Sequence, residues 1–131
     1  MQPNWTNLRL RTTLTIATGV VCATLAIAAS GNNAERGREA FEKRCTGCHA
    51  LDKIKVGPPL RAIYGRNAGK DPQFAYSDAV KKTSVTWDES TLDRWLTDTD
   101  SVIPDNDMAF RLNDQTDRAN IIAYLRQLSG K

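Results

Sequence analysis

Two cysteines and a histidine stand together in Cys45-Thr46-Gly47-Cys48-His49. Cysteines three apart on a helical turn point to one side, so their sulfurs can reach two neighbouring vinyl groups of a flat macrocycle. His49 lies one turn beyond Cys45 and can bring an imidazole nitrogen to a metal at the centre of that macrocycle. The pattern is the attachment signature of one covalently bound c-type haem and its iron. Two other chemistries use paired cysteines. A thioredoxin-like dithiol wants a βαβ context, and none is visible. A closed zinc site wants four ligands, and outside the first thirty residues only Cys45, Cys48 and His49 are available as thiol or imidazole ligands.

An iron held by His49 has a second axial position. His49 is the only histidine in the chain, and methionine occurs only at positions 1 and 108. Met108 follows Pro104-Asp105-Asn106-Asp107, an irregular stretch able to lie against the face of a flat group. A lone methionine is ordinarily core packing. Here the attachment motif and the lack of a competitor make Met108 the expected second ligand. Thioether coordination raises a reduction potential relative to nitrogen ligands. With both axial positions filled, small molecules find no coordination site, which favours outer-sphere electron transfer over chemistry on a bound substrate.

These residues must be positioned by helices and loops. Asn32 and Glu35 are spaced as a capping box, with Ala34, Gly37, Ala40, Phe41 and Cys45 following at helical intervals. Ser77 is placed to cap a short helix over Asp78–Lys82. Thr86 and Glu89 form a second box ahead of Leu92, Trp95 and Leu96. Asn113 is placed to cap the longest helix, about Asp114–Leu128, with Ile121, Tyr124, Leu125 and Leu128 as its buried stripe and Gly130 just beyond its end. Gly57-Pro58-Pro59, the stretch from Gly65 to Pro72, and Pro104 to Asp107 break the helical pattern. No strand shows sustained alternation. The expected fold is all-α, three to five helices with long loops wrapped around one covalently bound haem.

The first thirty residues have a different composition. Arg9 and Arg11 are followed by an uncharged stretch, Leu14 to Ala29, with small-x-small sites at Ala26-Ile27-Ala28 and Ala28-Ala29-Ser30. This is the layout of a secretory signal, with an uncleaved membrane anchor as the alternative. Residues 1–30 are therefore expected to be leader and 31–131 the working domain, exported to a bacterial periplasm, soluble or membrane-tethered. The chain has 18 Lys and Arg against 15 Asp and Glu, and two of those cations are Arg9 and Arg11, so the remainder is nearly neutral. Without Cys22 a single C-x-x-C pair remains, which is no disulfide framework. A net charge of +3, with no basic run interleaved with aromatics, speaks against nucleic acid as a partner.

From about Gly37 to Leu125 the chain resembles class I c-type cytochromes, of the mitochondrial cytochrome c and bacterial cytochrome c2 type. The resemblance implies that Gly37 and Phe41 pack against Ile121 and Tyr124, as a glycine allowing close helix approach would permit. It implies that the Pro58 carbonyl accepts a hydrogen bond from His49, fixing the imidazole tautomer, and that Leu60 packs on the haem. Tyr64-Gly65-Arg66-Asn67-Ala68-Gly69 resembles the family's G-R-x-x-G loop, Phe74-Ala75-Tyr76-Ser77 its F-x-Y-[ST] segment, and Ile103-Pro104 through Met108-Ala109-Phe110 its I-P-G-T-K-M-x-F segment. On that resemblance Arg66, Tyr76 and Trp87 serve the haem propionates, whose buried charge is costly without donors. Met108 falls on the ligand position and Phe110 near the exposed haem edge.

Several positions depart from the family. Trp95 replaces a tyrosine that reaches the ligand sulfur, Val80 an asparagine of a buried water network, Asp105 a glycine, and Asn106 a threonine that donates to a propionate, a role an amide could keep. Asp98, Asp100, Asp105 and Asp107 crowd the methionine side, with Arg44, Lys53, Lys55 and Arg61 expected opposite. Steering toward partners should then differ from that of a lysine ring. The resemblance implies a monomeric single-electron carrier, not an enzyme, working between redox proteins such as membrane oxidoreductase complexes or periplasmic reductases and dehydrogenases. The alternative is a peroxidase-like haem enzyme or ligand sensor with a labile Met108.

Overall fold

A computed structural model describes residues 33–131; the leader segment, Cys22 and the Asn32 cap lie outside the described residues. Four α-helices carry the domain: α1 (residues 33–44), α2 (Asp78–Lys82), α3 (Glu89–Thr97) and α4 (Gln115–Leu128), with a 3₁₀ turn over Thr99–Ser101. Among the described residues the extended pairing is limited to one antiparallel bridge between Asn67 and Thr86.

The expected helices form, with two caps moved. Ser77 caps α2 and its hydroxyl accepts from the Val80 N–H. The cap of α3 is Asp88, whose carboxylate accepts from the Thr91 N–H at 2.7 Å, and not Thr86. Thr86 instead donates its hydroxyl to Asn67 Oδ1 and anchors the bridge. The cap of α4 is Asp114, one residue after the expected Asn113. A carboxylate satisfies the free N–H groups and also interacts favourably with the helix dipole, so Asp wins where either residue could cap. Gly130 closes α4 in the left-handed conformation, φ +67°.

The core joins α1, α3 and α4. Ala40, Phe41, Leu92, Trp95, Leu96, Ile121, Ile122 and Leu125 are buried together, with Ala68, Trp87, Ile103 and Leu112 from the loops. Each large side chain buried this way stabilises the fold by roughly 1.5–3 kcal/mol. Tyr124 and Leu128, expected on the buried stripe of α4, are only half-buried. Ile122 takes the place of Leu128 in the core.

The α1–α4 crossing is close. A Cβ on Gly37 would lie 1.9 Å from the Asn120 carbonyl oxygen, and Phe41 meets Tyr124 edge to face at 5.6 Å between ring centroids. On the other side of α4, buried Arg118 donates to Asp93 Oδ1 at 2.7 Å and to the carbonyls of Leu112 and Asn113. One guanidinium thus ties α3, α4 and the chain between them.

One strained position stands in the loop after Pro59. Ala62 has φ +58°, a region that costs an L-residue roughly 1–2 kcal/mol and glycine almost nothing. Glycine also gives up more freedom on folding. Ala62→Gly is therefore expected to stabilise the protein by about 0.5–1 kcal/mol, read as a higher urea midpoint at unchanged slope. A lower midpoint would show that the methyl group makes a contact worth more than the strain.

Candidate functional site

Cys45 to His49 continue the last turn of α1. The Cys45 N–H donates to the Phe41 carbonyl at 2.8 Å, and the N–H groups of Cys48 and His49 donate back to the Cys45 carbonyl at 3.1 and 2.8 Å. This turn sets Cys45, half-buried, and Cys48, exposed, on consecutive corners with His49 buried beside them. Burial, and then the neighbouring Cys48, push the Cys45 thiol up to about 11. A dithiol poised for exchange needs the opposite shift, so the electrostatics join the missing βαβ context in speaking against a thioredoxin-like role.

His49 is held by one partner. Its Nδ1 lies 2.8 Å from the Pro58 carbonyl oxygen, which can only accept, so Nδ1 carries the hydrogen and Nε2 keeps its lone pair. Burial pulls its pKa below the ordinary histidine value, the Pro58 carbonyl pulls it back up in part, and nearby Lys55 lowers it further. Nε2 makes no hydrogen bond to a described residue, yet no buried polar side-chain atom among them is sealed without a partner. The nitrogen is therefore open to an incoming ligand. A neutral imidazole with its tautomer fixed and Nε2 open is what a metal requires.

Gly57 makes this arrangement possible. A Cβ there would sit 2.2 Å from Cε1 of the His49 ring. The Gly57 N–H also donates to the Cys48 carbonyl at 2.8 Å, closing the loop over the histidine. Glycine here was legible only as a helix breaker, since nothing local in the sequence shows that its missing side chain faces a ring. Gly57→Ala is expected to push the imidazole off the Pro58 carbonyl and, with His49 as the expected iron ligand, to weaken that ligation. Protons compete with iron for Nε2, so a weaker bond is lost at higher pH. Each 1.4 kcal/mol of lost ligation should raise the midpoint of acid-induced loss of the six-coordinate spectrum by about one pH unit. An unchanged midpoint would contradict this role.

Arg66, Tyr76 and Trp87 come together. The Gly65 N–H donates to the Trp87 carbonyl and the Trp87 N–H to the Arg66 carbonyl, at 2.8 and 2.9 Å. Tyr76 lies within electrostatic reach of Arg66. Burial raises the pKa of its hydroxyl, which therefore stays protonated and able to donate. Trp87 is buried and tilts onto Trp95 at 5.1 Å. The two rings thus share one buried face of the core, next to the loops that carry the other expected site residues.

Met108 sits on a loop that is pinned at both of its backbone ends. The Thr99 hydroxyl donates to the Met108 carbonyl at 2.6 Å, and the Met108 N–H donates to Asn106 Oδ1 at 2.8 Å. Asn106 spends its two amide hydrogens on Asp100 Oδ1 and the Ile103 carbonyl. It is therefore committed to the loop and not free to donate to a propionate. Asp105 has φ +60°, which accounts for glycine at this position in the resembling segment. Thr99 carried no signal in the sequence.

The charge pattern is milder than composition implied. Asp98 pairs with Arg111 at 3.1 Å, Arg61 with Asp52, and Arg44 with Asp117 at 3.7 Å. Of the expected charges, Lys53 and Lys55 on one side and Asp100, Asp105 and Asp107 on the other form no ion pair among the described residues.

The residues present fit a covalently attached haem. They supply two thiols on one turn, an imidazole with an open nitrogen, a thioether, and a cluster of Arg, Tyr and Trp donors. Leu60, Ile63, Val80, Val102, Met108 and Phe110 pack on the core but stay only partly buried. They offer apolar surface that a flat cofactor would cover.

Comparison with known proteins agrees. A family model described as cytochrome c matches residues 34–129. The chain is similar to cytochrome c of Chlamydomonas reinhardtii, 41% identical over 109 residues, covering 80% of this chain and 96% of that protein. It is similar to cytochrome c2 iso-2 of Magnetospirillum fulvum, 45% identical over 87 residues, covering 64% of this chain and 91% of that protein. The solved structure of cytochrome cH from Methylobacterium extorquens superposes with a TM-score of 0.68 at 38% identity, covering 72% of this chain and 97% of that one.

Proposed function

Because this chain belongs to the cytochrome c family and so is a single-electron carrier with one covalently bound haem c, we propose that His49 and Met108 are its axial iron ligands. The single observation that carries the His49 assignment is its bond of 2.8 Å to Pro58, which fixes Nδ1 as donor and leaves Nε2 for iron; Met108 follows as the one methionine of the domain. When bound, the haem supplies an iron that changes oxidation state by one electron. Cys45 and Cys48 hold it by thioether bonds, so it is not lost outside the cytoplasm. Pro58 orients His49, while Arg66, Tyr76 and Trp87 donate to the propionates and keep their charge from destabilising the core.

With His49 and Met108 both holding the iron, small molecules would find no free site on it, and the partly buried apolar residues would exclude water. Both lower the reorganisation that each electron transfer requires. Membership of an electron-transfer family sets aside the haem-enzyme alternative. Carbon monoxide tests the ligation: the reduced wild-type protein should bind it slowly and weakly, because Met108 must first leave. Rapid, tight binding would remove Met108 from the ligand set.

Redox proteins are the partners, and membrane oxidoreductase complexes and periplasmic reductases or dehydrogenases are the proposed kinds, met by a monomer. Residues 1–30 are proposed as a leader that exports the domain 31–131 to the periplasm, in soluble or tethered form. Among the described residues no helix is long and apolar enough to cross a membrane. Mass spectrometry of the purified protein's N-terminus decides between a cleaved leader and a retained anchor.

A further inference from the structure

The segment carrying Met108 is closed at its neck by successive pairings. The Leu112 N–H donates to the Leu96 carbonyl at 2.8 Å. Arg111 bridges to Asp98 at 3.1 Å. Next, the Thr99 hydroxyl reaches the Met108 carbonyl at 2.6 Å. Thr99 is 2% exposed, so this bond is shielded from competing water. Inside the loop Asn106 accepts from the Met108 N–H and donates to Asp100 and Ile103. Asp98 closes the start of the loop by accepting from the Asp100 N–H.

We propose that Thr99 and Asn106 are positioning residues that clamp the carbonyl and N–H of Met108 and so set how readily its sulfur leaves the iron. The inference rests on Met108 being the axial ligand. Two features single out the clamp from ordinary loop packing. It grips the backbone of one residue from both sides, and its Thr99 member comes from the turn beyond α3, not from a neighbour in sequence. Escape of the sulfur by swinging the loop outward must break the Thr99 bond and leave the buried Thr99 hydroxyl without its acceptor. The loop can then open locally only at that cost, whatever the stability of the domain as a whole.

The test uses the ferric holoprotein and added imidazole, which coordinates iron only when the sulfur has left. Thr99→Val keeps the shape and removes the hydroxyl; it is expected to raise imidazole affinity about tenfold, the effect of one lost buried bond. Thr99→Ser keeps the hydroxyl and should stay within about threefold of wild type. Asn106→Ala attacks the other side and should move affinity in the same direction as Thr99→Val, which decides the matter if Thr99→Val fails to fold. Ile122→Val, a mild defect in the main core, lowers denaturant stability and should leave imidazole affinity unmoved.

Thr99→Val or Asn106→Ala matching wild type overturns the clamp. So does Thr99→Ser behaving like Thr99→Val, or Ile122→Val giving the same gain. Failure of the ligation itself is seen separately, in the wild-type ferric protein. Loss there of the weak red methionine–iron charge-transfer band overturns both readings, whereas its presence with unresponsive variants overturns the clamp alone.

Discussion

Met108→Ala is expected to lower the midpoint potential by roughly 0.1–0.3 V, a sizeable part of the span of about 0.8 V that axial ligands control. A soft thioether stabilises the reduced iron more than the oxidised iron, so removing it favours oxidation. The substitution is a clean one in this loop. The bonds from Thr99 and to Asn106 go to the backbone of residue 108 and survive the loss of its side chain. The loop should therefore remain in place while the sulfur is gone. A spectroelectrochemical titration measures the shift, and rapid carbon monoxide binding by the reduced variant should accompany it. An unchanged potential would mean that another group holds the sixth position.

Gly37→Ala is expected to destabilise the protein by at least 3 kcal/mol, toward the upper end of what overpacking costs. The added carbon would fall 1.9 Å from the Asn120 carbonyl oxygen and 2.9 Å from the Tyr124 Cβ. A flexible side chain could move aside, but the backbone of α4 cannot shift without losing the Phe41–Tyr124 contact and the core around Ile121. Against a typical total of about 5–15 kcal/mol, a loss of this size removes much of the stability. Gly47→Ala is the internal control. Nothing lies within 4 Å of a Cβ at Gly47, so that variant should stay within about 0.5 kcal/mol of wild type. Denaturant midpoints of the two holoproteins measure the contrast; similar values would show that α1 and α4 are not in close contact at Gly37.

Much of this arrangement was legible in the chain. Helical spacing placed Gly37, Phe41, Leu92, Trp95 and Ile121 correctly, because each element buries one face and that period is written locally. Counting histidines and methionines nominated His49 and Met108, the ligands proposed for the iron. Capping failed by a residue or two, since Ser, Thr, Asn and Asp all cap and only the folded chain decides which is free. Thr86 is spent on Asn67, which leaves Asp88 to cap α3. The contributions of Gly57, Thr99 and Arg118 were invisible for a different reason. Each acts on a residue that the fold, not the sequence, brings next to it: a ring, a carbonyl nine positions away, and a carboxylate on another helix. In the acidic stretch around Met108, pairing with Arg111 offsets the Asp98 charge, while Asp100, Asp105 and Asp107 form no ion pair among the described residues.

The ligand set proposed for the iron can be read directly from the proton NMR spectrum of the reduced, diamagnetic protein. A methionine whose sulfur is bound to the iron has its methyl group over the macrocycle, where the ring current moves it far upfield of every other resonance. The wild-type protein should show one such three-proton line, and Met108→Ala should lack it. A wild-type spectrum without that line, or a line that survives in Met108→Ala, would contradict ligation by Met108.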